Sequence, residues 1–168
     1  MEYALLQAVF LPLLLSPLAY IIGRRFGHTA ATWFTFGLLL YCTILIIAAS
    51  FGETYEEHYP WTELFGEFGL LLDGLAAPFA IMIYVLCTIL ALYSKPYMLH
   101  KFQDFFKEQA PKPVYQSDGT TLQSISLEKF VNRQSGVYYA LFLVFSMGML
   151  GTVLATNLIE FYIFFEVM

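Results

Sequence analysis

Charged residues are scarce in this chain of 168 residues. Asp, Glu, Lys and Arg make up only 12% of the sequence, whereas hydrophobic residues make up 59%. This balance excludes a disordered chain and argues against an ordinary soluble domain, in which about a quarter of the residues are charged. The two cysteines, Cys42 and Cys87, lie in separate apolar stretches and form no CxxC pair, so we interpret them as small packing residues.

Motifs of soluble catalysis are also missing from the sequence. It contains no Walker loop, no dinucleotide-binding GxGxxG and no HExxH. The three histidines, His28, His58 and His100, lie in separate connections or at the ends of apolar stretches. We therefore expect no soluble-enzyme active site, no nucleic-acid binding, and no cofactor or metal held by this chain.

Long apolar runs dominate the sequence instead. Four of them are long enough to cross the roughly 30 Å hydrocarbon core as helices, and a fifth run begins near Leu158. The sequence predicts an all-α membrane protein, a single transmembrane helical domain over 1–168. It comprises four complete transmembrane helices and the start of a fifth. The predicted helices are 4–22, 30–51, 74–94, 136–155 and 158–168.

The fifth predicted helix covers only about 16 Å, roughly half of the hydrocarbon core. A bare carboxy terminus inside hydrocarbon is energetically unfavourable. We therefore expect the chain to be a fragment, a split subunit completed by another chain, or a truncated product.

Basic residues fall in two connections only. All 8 Lys and Arg lie between helices 1 and 2 or in the loop 95–135, whereas the connection between helices 2 and 3 carries only acidic charges. The positive-inside rule then places the amino terminus outside and the loop 95–135 in the cytoplasm. Residues 98–109 place apolar side chains at helical spacing, which predicts an amphipathic helix on the membrane surface. A solvated loop and a docking surface for a neighbouring subunit remain alternative roles for this loop.

One carboxylate lies deep in a predicted span. If Asn157 marks the outer boundary, Glu166 lies about 13 Å into the hydrocarbon, near its middle. Ionisable groups at that depth are costly and usually serve ion or proton movement. Low dielectric favours a neutral carboxyl group, whereas a lysine about 4 Å away favours its charged form by roughly 4 kcal/mol. The pattern predicts an ion or proton pathway through Glu166; the alternative is a structural carboxylate bonded to Ser or Tyr.

Further candidate residues flank this position. Glu160 lies about 240° around the helix from Glu166 and near the boundary, so we expect either interfacial solvation or a role in ion entry. Asp73 precedes helix 3 and is predicted to cap it. Helix 4 carries small residues four positions apart, which predicts a face for close packing of helix 5 or helix 1. These residues are Gly148, Gly151, Thr152 and Ala155.

Two segments carry a resemblance to a known family. They are Leu-Leu-Leu-Asp-Gly-Leu-Ala-Ala-Pro-Phe at 70–79 and the stretch 148–166 that ends on Glu166. With them, the chain resembles the amino-terminal part of antiporter-like membrane subunits. Such subunits occur in respiratory complex I, in membrane-bound hydrogenases and related sulfur-reducing complexes, and in multisubunit sodium/proton antiporters. The resemblance covers nearly the whole chain except the inner loop, which is longer than the family's usual connection.

The resemblance implies a much longer subunit built on inverted repeats. Glu166 matches the helix 5 glutamate that pairs in the family with a lysine on helix 7, and no Lys or Arg lies in a predicted span here. A further chain or segment would supply that lysine and the remaining helices. The implied partners are other membrane subunits of a large hetero-oligomeric complex and the lipid of an energy-transducing membrane, cytoplasmic or inner. The chain itself would be non-catalytic, with iron–sulfur clusters or other redox centres in partner subunits.

Three functional hypotheses follow. In the first, which we favour, the chain is part of a subunit that translocates protons or sodium ions in a redox-driven respiratory assembly similar to complex I. Such an assembly is an oxidoreductase, for example a membrane-bound hydrogenase. The second is a component of a stand-alone multisubunit sodium/proton antiporter. The third is a non-transporting packing subunit. Partner chains distinguish the first two, and the effect of removing the Glu166 charge distinguishes the third.

Overall fold

Five helices and one β-hairpin make up the described part of the fold. The computed structural model describes residues 3–52, 54–62, 66–109 and 121–168, with side chains described except at 62, 66, 107–109 and 121–126. In chain order the elements are α1 (Ala4–Phe26), α2 (His28–Ser50), β1 (Tyr55–Thr62), β2 (Gly66–Leu72), α3 (Ala76–Gln109), α4 (Thr121–Leu154) and α5 (Leu158–Val167). Within the described chain, α1 to α4 are long and apolar enough to cross a membrane, which confirms the predicted class of all-α membrane protein.

Helices α3 and α4 extend well beyond the predicted spans. The sequence placed a loop at 95–135, but α3 continues to Gln109 and α4 already begins at Thr121. The charged residues after Ser94 and before Gly136 lie beyond the apolar, membrane-spanning parts of these helices. Lys, Gln, Glu and Met are nevertheless good helix formers, so the helices continue through them. The amphipathic stretch 98–109 is therefore the end of α3. It packs Phe105 and Phe106 against Phe130 of α4, with ring centroids 6.3 and 5.4 Å apart. Residues 110–120 of the predicted loop lie outside the described residues.

The hairpin was not predicted from the sequence. Strands β1 and β2 pair antiparallel, with Tyr55 opposite Leu72 and an irregularity between Pro60 and Thr62. In β1 the side chains at 55, 57 and 59 turn inward while those at 56, 58 and 60 are exposed, which is the period of two typical of a strand. Glu57 is one of the inward residues, so hydrophobic patterning does not reveal this alternation.

Helix α4 is the central element of the bundle. It contacts α1, α2, α3 and α5, and also strand β2. The closest approach to α1 lies at Gly23 and Gly136, where a Cβ built on Gly23 would stand 2.5 Å from the Gly136 Cα atom. Glycine at both positions lets the two backbones touch, as is common between membrane helices.

Asp73 lies at the start of α3. Its Oδ1 atom accepts hydrogen bonds from the backbone amides of Leu75 at 3.0 Å and Ala76 at 2.6 Å. Two of the free amides at this helix terminus are thus satisfied.

We expect Asp73→Ala to lower the free energy of unfolding by about 1 kcal/mol, the usual effect of losing a side-chain cap. Asp73→Asn keeps the accepting oxygen and serves as the control. Thermal unfolding of the detergent-solubilised protein measures the difference. Equal stability of the alanine and asparagine variants would contradict the expected contribution.

Candidate functional site

Helix α5 begins with a reciprocal pair of side-chain contacts. Asn157 is its N-cap residue, and the Oδ1 atom accepts from the backbone amide of Glu160 at 2.8 Å. The Glu160 carboxylate turns back toward the cap and accepts from Asn157 Nδ2 at 2.7 Å. The arrangement is a variant of the capping box, in which the third helical residue reaches back to the cap.

Glu160 is a buried carboxylate, with only 1% of the residue exposed. Its Oε1 atom accepts from the backbone amide of Gly69 on β2 at 2.8 Å, and its Oε2 atom accepts from the amide of Thr156 at 3.2 Å. The structure therefore buries this side chain, where the sequence suggested solvation at the interface. The N–H donors occupy both oxygens, so this buried polar group is fully hydrogen-bonded.

Glu166 lies on the other side of α5. The buried face of the helix carries Glu160 and Phe164, four residues apart, whereas Glu166 and Tyr162 form part of the exposed face. Within the described chain the Glu166 carboxylate makes no hydrogen bond or ion pair. The structure thus separates the two glutamates: one is held inside the bundle and the other faces away from it.

Helix α5 packs closely against α4 at two glycines. A Cβ atom at Gly151 would stand 2.3 Å from the ring of Phe164, and one at Gly148 would stand 3.0 Å from the Phe164 carbonyl oxygen. The other two small residues act differently. The Thr152 hydroxyl donates to the Gly148 carbonyl oxygen at 2.6 Å, and Ala155 forms an isolated bridge with Leu70.

A second buried carboxylate holds the hairpin on α1. Glu57 is 8% exposed, and its two oxygens accept from the backbone amides of Leu5 at 3.0 Å and Leu6 at 2.9 Å. Glu57 therefore accepts hydrogen bonds from free amides at the start of α1, because the N-cap residue, Tyr3, makes no side-chain cap. The Tyr59 hydroxyl also donates to Glu57 at 2.9 Å, and burial together with this carboxylate raises the pKa of Tyr59. No local pattern predicts this role, because Leu5 and Glu57 are far apart in the chain.

Polar contacts join three helices at the basic end of the bundle. His28 is 6% exposed, with Nε2 lying 2.8 Å from the Lys95 carbonyl oxygen and Nδ1 lying 2.7 Å from the Ser135 hydroxyl. The hydroxyls of Thr32 and Tyr139 lie 2.7 Å apart. These contacts link α2 to α3 and α4. In the described part of the chain, no three His, Cys, Asp or Glu side chains are grouped so as to hold a metal ion.

The fold and the site together define a class of protein: a helical membrane protein with four helices able to cross a membrane and a short fifth helix whose exposed face carries a carboxylate. Comparison with known proteins then shows that the chain is distantly homologous to the amino-terminal part of Na(+)/H(+) antiporter subunit A1. The Staphylococcus aureus protein is 27% identical over 164 residues, which cover 95% of this chain. The proteins of strains JH9 and Newman give the same identity and coverage.

The chain spans only 17% of the length of these relatives. No family model matches it. The comparison confirms the predicted resemblance to antiporter-like membrane subunits, at the level of a distant relationship to one part of a much longer protein.

Proposed function

We propose that this chain forms part of an ion-translocating, antiporter-like membrane subunit in which Glu166 is the transport carboxylate. The observation that carries the proposal is the position of Glu166 on the exposed face of α5, in a chain homologous to an antiporter subunit. A carboxylate that faces hydrocarbon is energetically costly. We therefore expect another helix or chain to pack against this face of α5, where it either pairs with the charge or lines a water-filled path.

The chemistry of the proposed site is a change of charge. A carboxyl group in a low-dielectric medium favours its neutral form, and an approaching cation favours the carboxylate. A lysine supplied from outside the 168 residues, moving toward or away from Glu166, would make this group release or take up a proton. The described residues supply the carboxylate and the helix that holds it.

The assembly we propose contains other membrane subunits in an energy-transducing membrane. The relatives are named as subunits of a Na(+)/H(+) antiporter, which favours a multisubunit antiporter over the redox-driven assembly preferred from the sequence. Subunits that copurify with the tagged protein distinguish these contexts. Iron–sulfur or nickel subunits in the purified complex would instead support the redox-driven assembly.

The proposed role of Glu166 is tested by Glu166→Gln in the assembled complex. We expect a fall in ion-driven proton exchange of about tenfold or more, equivalent to about 1.4 kcal/mol in barrier height, at an unchanged amount of complex in the membrane. Fluorescence of a pH-sensitive dye in everted membrane vesicles measures the exchange when sodium is added.

Tyr162→Phe is the matched control, because Tyr162 shares the exposed face of α5 but carries no carboxylate. It should transport within about twofold of the unmodified protein. Full transport by Glu166→Gln in a normally assembled complex would reject the transport role and leave the packing-subunit hypothesis.

A further inference from the structure

We propose that Glu160 is a positioning residue for the transport site: its buried carboxylate fixes the rotation and depth of α5, and thereby the direction in which Glu166 faces. This inference rests on the proposed function of Glu166. It assigns a role to a buried ionisable group that the proposed transport chemistry itself does not use.

Strand β2 and the connection that leads into α5 both donate to the Glu160 carboxylate. Gly69 belongs to strand β2, Thr156 to the connection between α4 and α5, and Asn157 is the helix cap, and each donates an N–H group. Successive residues of an α-helix are separated by about 100°. A rotation of α5 by one residue would therefore remove Glu160 from the Gly69 amide of β2 and turn Glu166 by the same angle.

Phe164 provides a second fixed point one turn further along α5. Its side chain is 4% exposed and lies against Gly151 of α4, where a Cβ atom would overlap the ring. Glu160 and Phe164 lie on the same face of the helix, so together they define both its rotation and its distance from α4. Glu166 follows Phe164 by two residues, and among the described residues its carboxylate has no hydrogen bond or ion pair that would orient α5.

The β-hairpin packs closely against the start of α5, where Glu160 makes its contacts. A Cβ atom at Gly69 would stand 2.3 Å from the Thr156 hydroxyl, so strand β2 lies directly on the connection to α5. Asn157 Nδ2 also donates to the Glu67 carbonyl oxygen at 3.2 Å. At the opposite strand, Glu57 binds the first amides of α1. The two buried glutamates therefore connect one hairpin to two different helices.

An amide at position 160 cannot reproduce the carboxylate contacts. Glutamine offers one accepting oxygen, and its NH₂ group would meet N–H donors from Gly69, Thr156 or Asn157. With the glutamine oxygen in the Oε1 position Thr156 loses its acceptor, and with the oxygen in the Oε2 position Gly69 does, so the attachment of α5 is weakened in either orientation. Glu57→Gln makes the same chemical change in the same hairpin, but it affects α1 and leaves the α5 contact in place.

The test compares Glu160→Gln with Glu57→Gln in the intact complex in native membranes. The first readout is the rate at which Glu166 reacts with dicyclohexylcarbodiimide, a membrane-permeant reagent for carboxyl groups, followed by mass spectrometry of the peptide. The second is the pH profile of ion-driven proton exchange. We expect Glu160→Gln to change the reaction rate of Glu166 at least threefold and to shift the pH profile. Glu57→Gln should leave both unchanged within experimental error, and Glu160→Asp, which keeps a carboxylate, should restore part of the unmodified behaviour.

Unchanged reactivity of Glu166 and an unchanged pH profile in Glu160→Gln would overturn the proposal. Equal effects of the two glutamine variants would also overturn it, because they would show a general loss of hairpin stability. If Glu160→Gln does not assemble, Asn157→Ser, which keeps a capping hydroxyl but removes one donor to Glu160, should change both readouts in the same direction by a smaller factor. Normal transport by Glu166→Gln, together with altered Glu166 reactivity in Glu160→Gln, would reject the transport role while retaining the control of α5 by Glu160.

Discussion

Gly136→Ala is expected to lower the free energy of unfolding by about 1–3 kcal/mol, the usual cost of overpacking. A Cβ atom at this position would stand 2.7 Å from the Tyr20 carbonyl oxygen and 3.4 Å from the Arg24 amide nitrogen, both backbone atoms of α1. A backbone atom cannot move aside by changing a side-chain rotamer. The methyl group must therefore push α1 away from α4 along their closest contact, which lowers the midpoint of thermal unfolding in detergent.

Gly37→Ala is the matched control for this prediction. It lies within α2, and no described atom is within 4 Å of the position its Cβ would take. Alanine is a better helix former than glycine by about 1 kcal/mol, so this variant should be as stable as the unmodified protein or slightly more stable. A Gly136→Ala protein as stable as the Gly37→Ala protein would show that α1 and α4 do not pack closely at this point.

The membrane helices could be predicted because bilayer thickness fixes the length of an apolar run. Their ends could not, because the same signal marks the edge of the hydrocarbon and not the end of the helix. Lys95 therefore appeared to close helix 3, although α3 continues to Gln109. The hairpin was missed for a related reason. Its inward face includes Glu57, whose burial depends on amides of α1 some fifty positions away in the chain.

In the candidate site, too, some features could be predicted from the sequence and others could not. The spacing from Asn157 indicates how far Glu166 lies along the helix, and this depends on helix geometry alone. The burial of Glu160 depends on Gly69, which is 91 residues away in sequence, so no local pattern shows it. A weaker local signal was available. Glu160 follows Asn157 by three residues, which is the spacing of a capping box and indicates that the carboxylate folds back toward the cap.

Gly151→Ala is expected to disturb α5 itself, and with it ion transport. The added Cβ atom would stand 2.3 Å from the Phe164 ring, so α5 must move outward or the ring must leave its buried position. Either change removes one of the two contacts that orient Glu166, and overpacking of this kind costs about 1–3 kcal/mol. We expect transport in everted vesicles to fall about tenfold, with a lower unfolding midpoint of the purified complex.

Gly148→Ala and a compensating substitution at Phe164 separate this steric effect from a general intolerance of α4. A Cβ atom at Gly148 has its nearest neighbours at 3.0 and 3.1 Å, a milder overlap, so Gly148→Ala should lose less transport. Phe164→Leu removes the ring that Gly151→Ala would strike, and the double variant should recover part of the transport and stability lost in Gly151→Ala. A double-mutant cycle then gives a coupling energy, which is expected for residues in direct contact. Strictly additive losses would mean that Gly151 and Phe164 do not touch and that another contact sets the position of α5.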